Sequence, residues 1–166
     1  FILLISFQVI YGYVYQMTGI IITLFMAGLA IGALLIPKVL SVNIKNYIKI
    51  LFGLAAYSIV IPFIMLLLNN YNVNTVIIFL IFFFITLDIA ILTGMLFALA
   101  SKLQSASVSS VAAKSYSSDL LGSAIGALVV STFLMPLLGI VNVCIIIGAL
   151  NIISGIVVII RRKKYL

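Results

Sequence analysis

Six long apolar stretches, separated by shorter segments that turn the chain, restrict its fold more than any other feature of its sequence. Each stretch approaches the about 20 residues that an α-helix needs to cross roughly 30 Å of hydrocarbon. Of the 166 residues, 66% are hydrophobic and 7% are charged, whereas a soluble domain is about half apolar and about a quarter charged. One small globule cannot bury so much apolar surface, and a disordered chain carries far less of it. The sequence therefore predicts an all-α, polytopic transmembrane helix bundle and excludes a soluble enzyme domain.

The apolar run lengths set the predicted spans. They cover about residues 1–15, 18–36, 47–68, 75–100, 118–137 and 141–160. The Ser- and Ala-rich residues 101–118 are predicted to form a solvated connector or an interfacial helix. The chain starts inside an apolar run and without Met. We therefore expect residues 1–166 to be a single transmembrane domain, the C-terminal membrane part of a longer protein.

The basic residues predict the orientation of the bundle. Nine Lys and Arg residues give a net charge of +7, and all nine follow the second, fourth or sixth predicted span. They are Lys38, Lys45, Lys49, Lys102, Lys114, Arg161, Arg162, Lys163 and Lys164. By the positive-inside rule, both ends of the chain are predicted to be cytoplasmic in a multi-pass protein of the inner or plasma membrane. The positive charge then reports topology, and no nucleic-acid partner is expected.

Residue types that carry chemistry are scarce in this sequence. It has no His, no Glu and one Cys, Cys144. A transition-metal ligand set and a Ser/His/Asp or Cys/His catalytic constellation are therefore excluded. We expect no catalytic residue, no metal and no cofactor in this chain.

Asp88 is the most unusual residue, because it lies near the centre of the fourth predicted span. A carboxylate at that depth costs about 2.5–3.5 kcal/mol on insertion scales. It is interpreted either as a proton or cation site or as a protonated carboxyl that bonds to a neighbouring helix. Asn151 and Tyr57 lie at similar depth in other spans. They are predicted either to join Asp88 in a polar site or to make separate interhelical hydrogen bonds.

Two GxxxG motifs predict close helix packing, one at Gly28 and Gly32 and the other at Gly122 and Gly126. Both lie within the longer pattern Gly-x-Ala-Ile-Gly-Ala-Leu, at residues 28–34 and 122–128. The two copies are interpreted either as an inverted repeat of the transporter type or as independent packing helices. Asp119 precedes the second copy at the predicted start of the fifth span. It is expected to cap that helix and shares a face with both glycines.

Several stretches resemble the membrane region of bacterial spermidine synthase-like proteins. They are residues 7–15, 24–32, 93–97, 116–128 and 134–139, which keep the order of motifs in that family. One departure is Ala98, where the family has a proline. These proteins fuse membrane helices to a cytoplasmic aminopropyltransferase domain. The resemblance implies polyamine biosynthesis and a transferase domain that is not present in this chain. Decarboxylated S-adenosylmethionine would be a substrate of that missing domain only, and Asp119, Gly122 and Gly126 match a membrane motif of the family.

Three functional interpretations follow. In the first, the chain is a spermidine synthase-like membrane domain that anchors the enzyme and handles polyamines, with Asp88 as a cation contact. In the second, it is a transporter or channel half that moves cations or small solutes. In the third, it is a structural scaffold that packs through its GxxxG faces against other transmembrane helices or a second copy in the lipid bilayer.

Overall fold

The computed structural model describes residues 15–39, 41–70, 75–104 and 108–163, and in that part the chain is almost entirely helical. Helix α1 covers Tyr15–Val39, α2 covers Ile44–Asn70, α3 covers Thr75–Lys102, α4 covers Val108–Val129 and α5 covers Met135–Lys163. A π-helical segment, Val130–Leu134, joins α4 to α5.

The predicted all-helical architecture is confirmed for this part of the chain. Over residues 15–163, four stretches are long and apolar enough to cross a membrane: Gly19–Ile36, Ile44–Ile64, Ile77–Lys102 and Ser109–Ile160. Helices α1, α2 and α3 contain the second, third and fourth predicted spans. The first predicted span lies outside the described residues, apart from the start of α1 at Tyr15.

The fifth and sixth predicted spans lie within one apolar stretch of 52 residues, Ser109–Ile160. As an unbroken helix, this stretch would be about 78 Å long, well over twice the thickness of a bilayer core. Gly139 interrupts it, because its backbone angles (φ 73°, ψ 169°) are not helical. This interruption falls within the turn predicted at residues 138–140. Six separate spans are nevertheless not resolved. Over the described residues, the structure has four stretches that could each cross a membrane.

Two clusters of buried apolar side chains show the directions of the helices. In the first cluster, Ile61 of α2 packs with Phe82 of α3 and with Cys144 of α5, and Ile21 of α1 packs against them. The second cluster contains Ile36 of α1, Ile50 of α2, and Met95 and Leu99 of α3. Because α1 and α3 pass from the first cluster to the second in the same order, they run parallel. Helix α2 passes through the clusters in the opposite order and is antiparallel to both.

Two glycines on α5 show the direction of this helix relative to α2. A Cβ atom added at Gly148 would lie 3.1 Å from Cγ1 of Ile59, and one added at Gly155 would lie 3.2 Å from Cζ of Phe52. Helix α5 is therefore antiparallel to α2 and packs closely against it. As a result, the basic ends of α1, α3 and α5 and the basic start of α2 lie at one end of the bundle. They carry Lys38, Lys45, Lys49, Lys102, Arg161, Arg162 and Lys163.

Large apolar side chains cover much of the outer surface. Leu34 is 72% exposed, Leu128 is 60% exposed and Leu137 is 78% exposed. Soluble monomers rarely expose extensive contiguous apolar surface, so the pattern is compatible with contact to membrane lipid.

The predicted capping role of Asp119 is wrong. The Ser- and Ala-rich residues before it are helical from Val108, so Asp119 is the twelfth residue of α4 and lies in its fourth turn. An N-cap must precede the first turn, where backbone N–H groups lack partners. Of the two interpretations of residues 101–118, the helical one therefore fits residues 108–118.

Candidate functional site

Asp88 and Tyr57 meet at the interface of α2 and α3. The Tyr57 hydroxyl donates a hydrogen bond to Oδ2 of Asp88 at 2.9 Å. Each residue is at the midpoint of its helix, since α2 covers Ile44–Asn70 and α3 covers Thr75–Lys102. The structure therefore brings together two of the three residues predicted for a polar site and places them at the middle of both spans.

This one hydrogen bond does not compensate the free energy needed to desolvate the Asp88 carboxylate at the middle of a membrane-spanning helix. Desolvating a carboxylate at the middle of a span costs about 2.5–3.5 kcal/mol. An interhelical hydrogen bond within a membrane returns about 0.6 kcal/mol on average and about 1.7 kcal/mol at most. In the described part of the chain, Tyr57 is the only side chain that donates to Asp88. Asp88 is an exposed residue in the described part of the chain.

Asn151 does not join this pair. It shares a face of α5 with Gly148 and Gly155, three and four residues away, and both glycines face α2. Asn151 is half-buried and lies at the α2–α5 interface, whereas the pair lies at the α2–α3 interface. The structure thus separates Asn151 from the other two predicted polar residues.

The first GxxxG motif lies where α1 and α3 cross. A Cβ added at Gly28 would lie 2.5 Å from Cβ of Ala90, and one added at Gly32 would overlap the backbone of Ile91. Gly94 on α3 faces the backbone of Leu29 in the same way. The three glycines therefore let the two backbones touch. The GxxxG motifs do not predict this role for Gly94, although Ala90 and Gly94 form a small-xxx-small pair.

The second GxxxG motif has different surroundings. A Cβ added at Gly122 or Gly126 would have no atom within 4 Å in the described part of the protein. Asp119, on the same face of α4, is exposed. The two copies of the pattern are thus packed differently, although their sequences are nearly the same.

Over the described residues, the fold and the site define a class: a helical protein whose apolar helices are long enough to span a membrane, with a carboxyl–phenol pair at mid-helix. Comparison with family models, curated proteins and solved structures finds no match for this chain.

Proposed function

We propose that this chain is a membrane domain that binds a cationic group of the polyamine class at Asp88. The observation that carries the proposal is the Asp88 carboxyl group at the middle of α3, which Tyr57 orients through one hydrogen bond. A bound ammonium group would supply the opposite charge that the described residues of the neighbouring helices do not. The tyrosine hydroxyl fixes one carboxyl oxygen and leaves the other for the ligand.

Binding of radiolabelled spermidine to the purified protein tests this proposal. We expect Asp88→Asn to abolish binding and Tyr57→Phe to weaken it several-fold. The matched control is Asp119→Asn, which removes the other acidic side chain in the sequence and should leave binding unchanged. Unchanged binding by Asp88→Asn would refute the proposal, provided that its thermal unfolding resembles that of the wild type.

Flux measurements on the same variants distinguish two forms of the proposal. Spermidine uptake into proteoliposomes, lost in Asp88→Asn, would favour a transporter or channel half. Binding without flux would favour a domain that handles polyamines beside an anchored enzyme. The resemblance to spermidine synthase-like proteins supports the second form. A glycine-rich nucleotide loop in the coding sequence before Phe1 would strengthen it, whereas further membrane helices alone would favour transport.

We further propose six spans with both ends cytoplasmic in the plasma membrane. The basic residues at one end of the bundle support this orientation. A membrane-impermeant maleimide applied to intact cells should label Leu137→Cys but not Lys45→Cys, in a Cys144→Ala background. Permeabilised cells should show both labels. Labelling of Lys45→Cys in intact cells would contradict the orientation, and absence of label at Leu137→Cys would contradict separate crossings by α4 and α5.

A structural scaffold is a second candidate, and the open surface of α4 favours it. Among the described residues, Gly122 has no neighbour within 4 Å of an added Cβ, and Leu121 and Ile125 on this helix are more than 60% exposed. A partner helix, from a second copy or from the same protein, would fit against this surface. Gly122→Ile should then disrupt chemically cross-linked assemblies, whereas Gly53→Ile, also at an open position, should not. Assemblies that survive Gly122→Ile would exclude this surface as the contact.

A further inference from the structure

A cavity of about 680 Å³ lies between α4 and the rest of the bundle, and all five helices contribute to its wall. Its volume falls within the roughly 300–1,000 Å³ typical of small-molecule sites. Most of the lining is apolar, with Phe25 and Met26 from α1 and Ile147 from α5. Among the described residues, no charged side chain belongs to the lining, and neither Asp88 nor Tyr57 does. The cavity is thus distinct from the carboxyl–phenol pair.

Thr86 of α3 belongs to the wall of this cavity, and its hydroxyl group has no partner in the described part of the protein. The residue is 1% exposed, and its Oγ1 atom makes no hydrogen bond in the described part of the protein. Leaving a buried hydroxyl without a partner is costly, so such groups are rare and need an explanation.

Other hydroxyl groups on these helices behave differently. Thr93 donates to the carbonyl of Ile89 at 2.8 Å, and Thr23 donates to that of Gly19 at 2.8 Å. Two further hydroxyls in the cavity wall also bond within their own helices: Ser58 to Leu54 and Ser123 to Leu120. Thr86 therefore offers the one unused hydroxyl proton among the Ser and Thr residues that line the cavity.

We propose that this cavity binds a neutral, lipophilic molecule that carries a carbonyl or hydroxyl oxygen, and that Thr86 donates a hydrogen bond to that oxygen. The neutral lining disfavours an ion, because nothing in it would compensate a desolvated charge. The apolar walls take up a hydrocarbon body, and rotation about χ1 directs the Thr86 hydroxyl to the acceptor. This site does not depend on cation binding at Asp88.

The purified full chain in detergent permits a direct test with two probes of similar size, 2-dodecanone and n-tridecane. Cys144 also lines the cavity and is the single cysteine in the sequence. Protection of Cys144 from N-ethylmaleimide, followed by mass spectrometry, therefore reports occupancy. The thermal unfolding midpoint gives a second measure if the thiol reacts slowly. We expect the ketone to bind about three- to tenfold more tightly than the alkane, as one net hydrogen bond implies.

Four variants distinguish the effect of the Thr86 hydrogen bond from the effect of the cavity volume. Thr86→Val should abolish the preference for the ketone, whereas Thr86→Ser should keep it. Thr93→Val, whose parent hydroxyl bonds within its own helix, should also keep it. Gly126 lines the cavity and has room for a side chain, so Gly126→Leu should exclude both probes.

Equal binding of the ketone and the alkane by the wild type would overturn the proposal, as would a ketone preference that survives Thr86→Val. If another part of the protein or a second copy fills the cavity, neither probe will change alkylation or unfolding. That outcome would also overturn the proposal.

Discussion

Substituting Gly32 by alanine should show how strongly the α1–α3 contact depends on glycine. A Cβ at this position would overlap the carbonyl oxygen of Ile91 and lie 2.9 Å from its carbonyl carbon. Carbon atoms in ordinary contact are about 3.5–4.0 Å apart. The obstacle is backbone, so no rotamer change can relieve it. The helices must separate by about 0.5–1 Å at the crossing, which loses contacts on both sides.

The expected magnitude follows from a matched pair of variants. Both Gly32→Ala and Gly122→Ala replace a glycine within a helix, which by itself favours the helix by about 0.5–1 kcal/mol. Only Gly32→Ala adds the overpacking cost, which is about 1–3 kcal/mol. We therefore expect Gly32→Ala to be less stable than Gly122→Ala by about 1–3 kcal/mol, because the intrinsic term cancels.

Unfolding in mixed micelles with increasing denaturing detergent, followed by circular dichroism, measures this difference. Gly28→Ala supplies an internal check, because its Cβ would meet the side chain of Ala90 at 2.5 Å. The second change Ala90→Gly should restore part of the lost stability in Gly28→Ala and none of it in Gly32→Ala. Equal stabilities of Gly32→Ala and Gly122→Ala would refute the proposed helix crossing.

Three further predictions use the same unfolding assay. Gly139→Ala should cost about 1–3 kcal/mol, because few residues other than glycine adopt φ 73° with ψ 169°; no loss would mean that the break can move along the chain. Gly148→Ala should cost less than Gly32→Ala, since its nearest neighbour is the side-chain atom Cγ1 of Ile59 at 3.1 Å; an equal cost would contradict this ranking. Without ligand, Thr86→Val should leave the free energy of unfolding unchanged or raise it, because its hydroxyl has no partner in the described part of the protein. Thr93→Val should lower the free energy of unfolding by about 1 kcal/mol, because it removes the hydrogen bond to Ile89. A larger loss in Thr86→Val than in Thr93→Val would show that Thr86 has an unrecognised partner.

The helix positions could be predicted from the sequence because hydrocarbon thickness controls them. Helices α2 and α3 begin and end within a few residues of the predicted spans, and the break at Gly139 falls in the predicted turn. Helix α4 begins about ten residues before the predicted fifth span, for a local reason. Residues 108–118 are too polar to look like a span, yet their alanines favour a helix that continues to Asp119 and beyond.

The pairing of helix faces could not be predicted in the same way. In lipid, an apolar face gains little by turning inward, so hydropathy does not identify the buried side. The two GxxxG motifs show the consequence. Gly28 and Gly32 are packed because Ala90 and Gly94 form a second groove on α3, about 60 residues further along the chain. No such groove meets Gly122 within the described residues, and its own sequence does not reveal that difference.

The two candidate sites are separated by the geometry of α3 itself. Asp88 and Thr86 are two residues apart, which turns their side chains about 200° from each other around the helix axis. Thr86 therefore faces the cavity when Asp88 faces away from it, towards Tyr57. One helix can then present a carboxyl group to a cation on one side and a hydroxyl group to a neutral ligand on the other. A shift of two residues in α3 would bring Asp88 to the position of Thr86 and place the charge in an apolar cavity, where no described side chain compensates it. The contacts of Gly94 with α1 oppose such a shift, because only glycine fits against the Leu29 backbone. Close packing at the α1–α3 crossing thus keeps the charged and neutral sites apart.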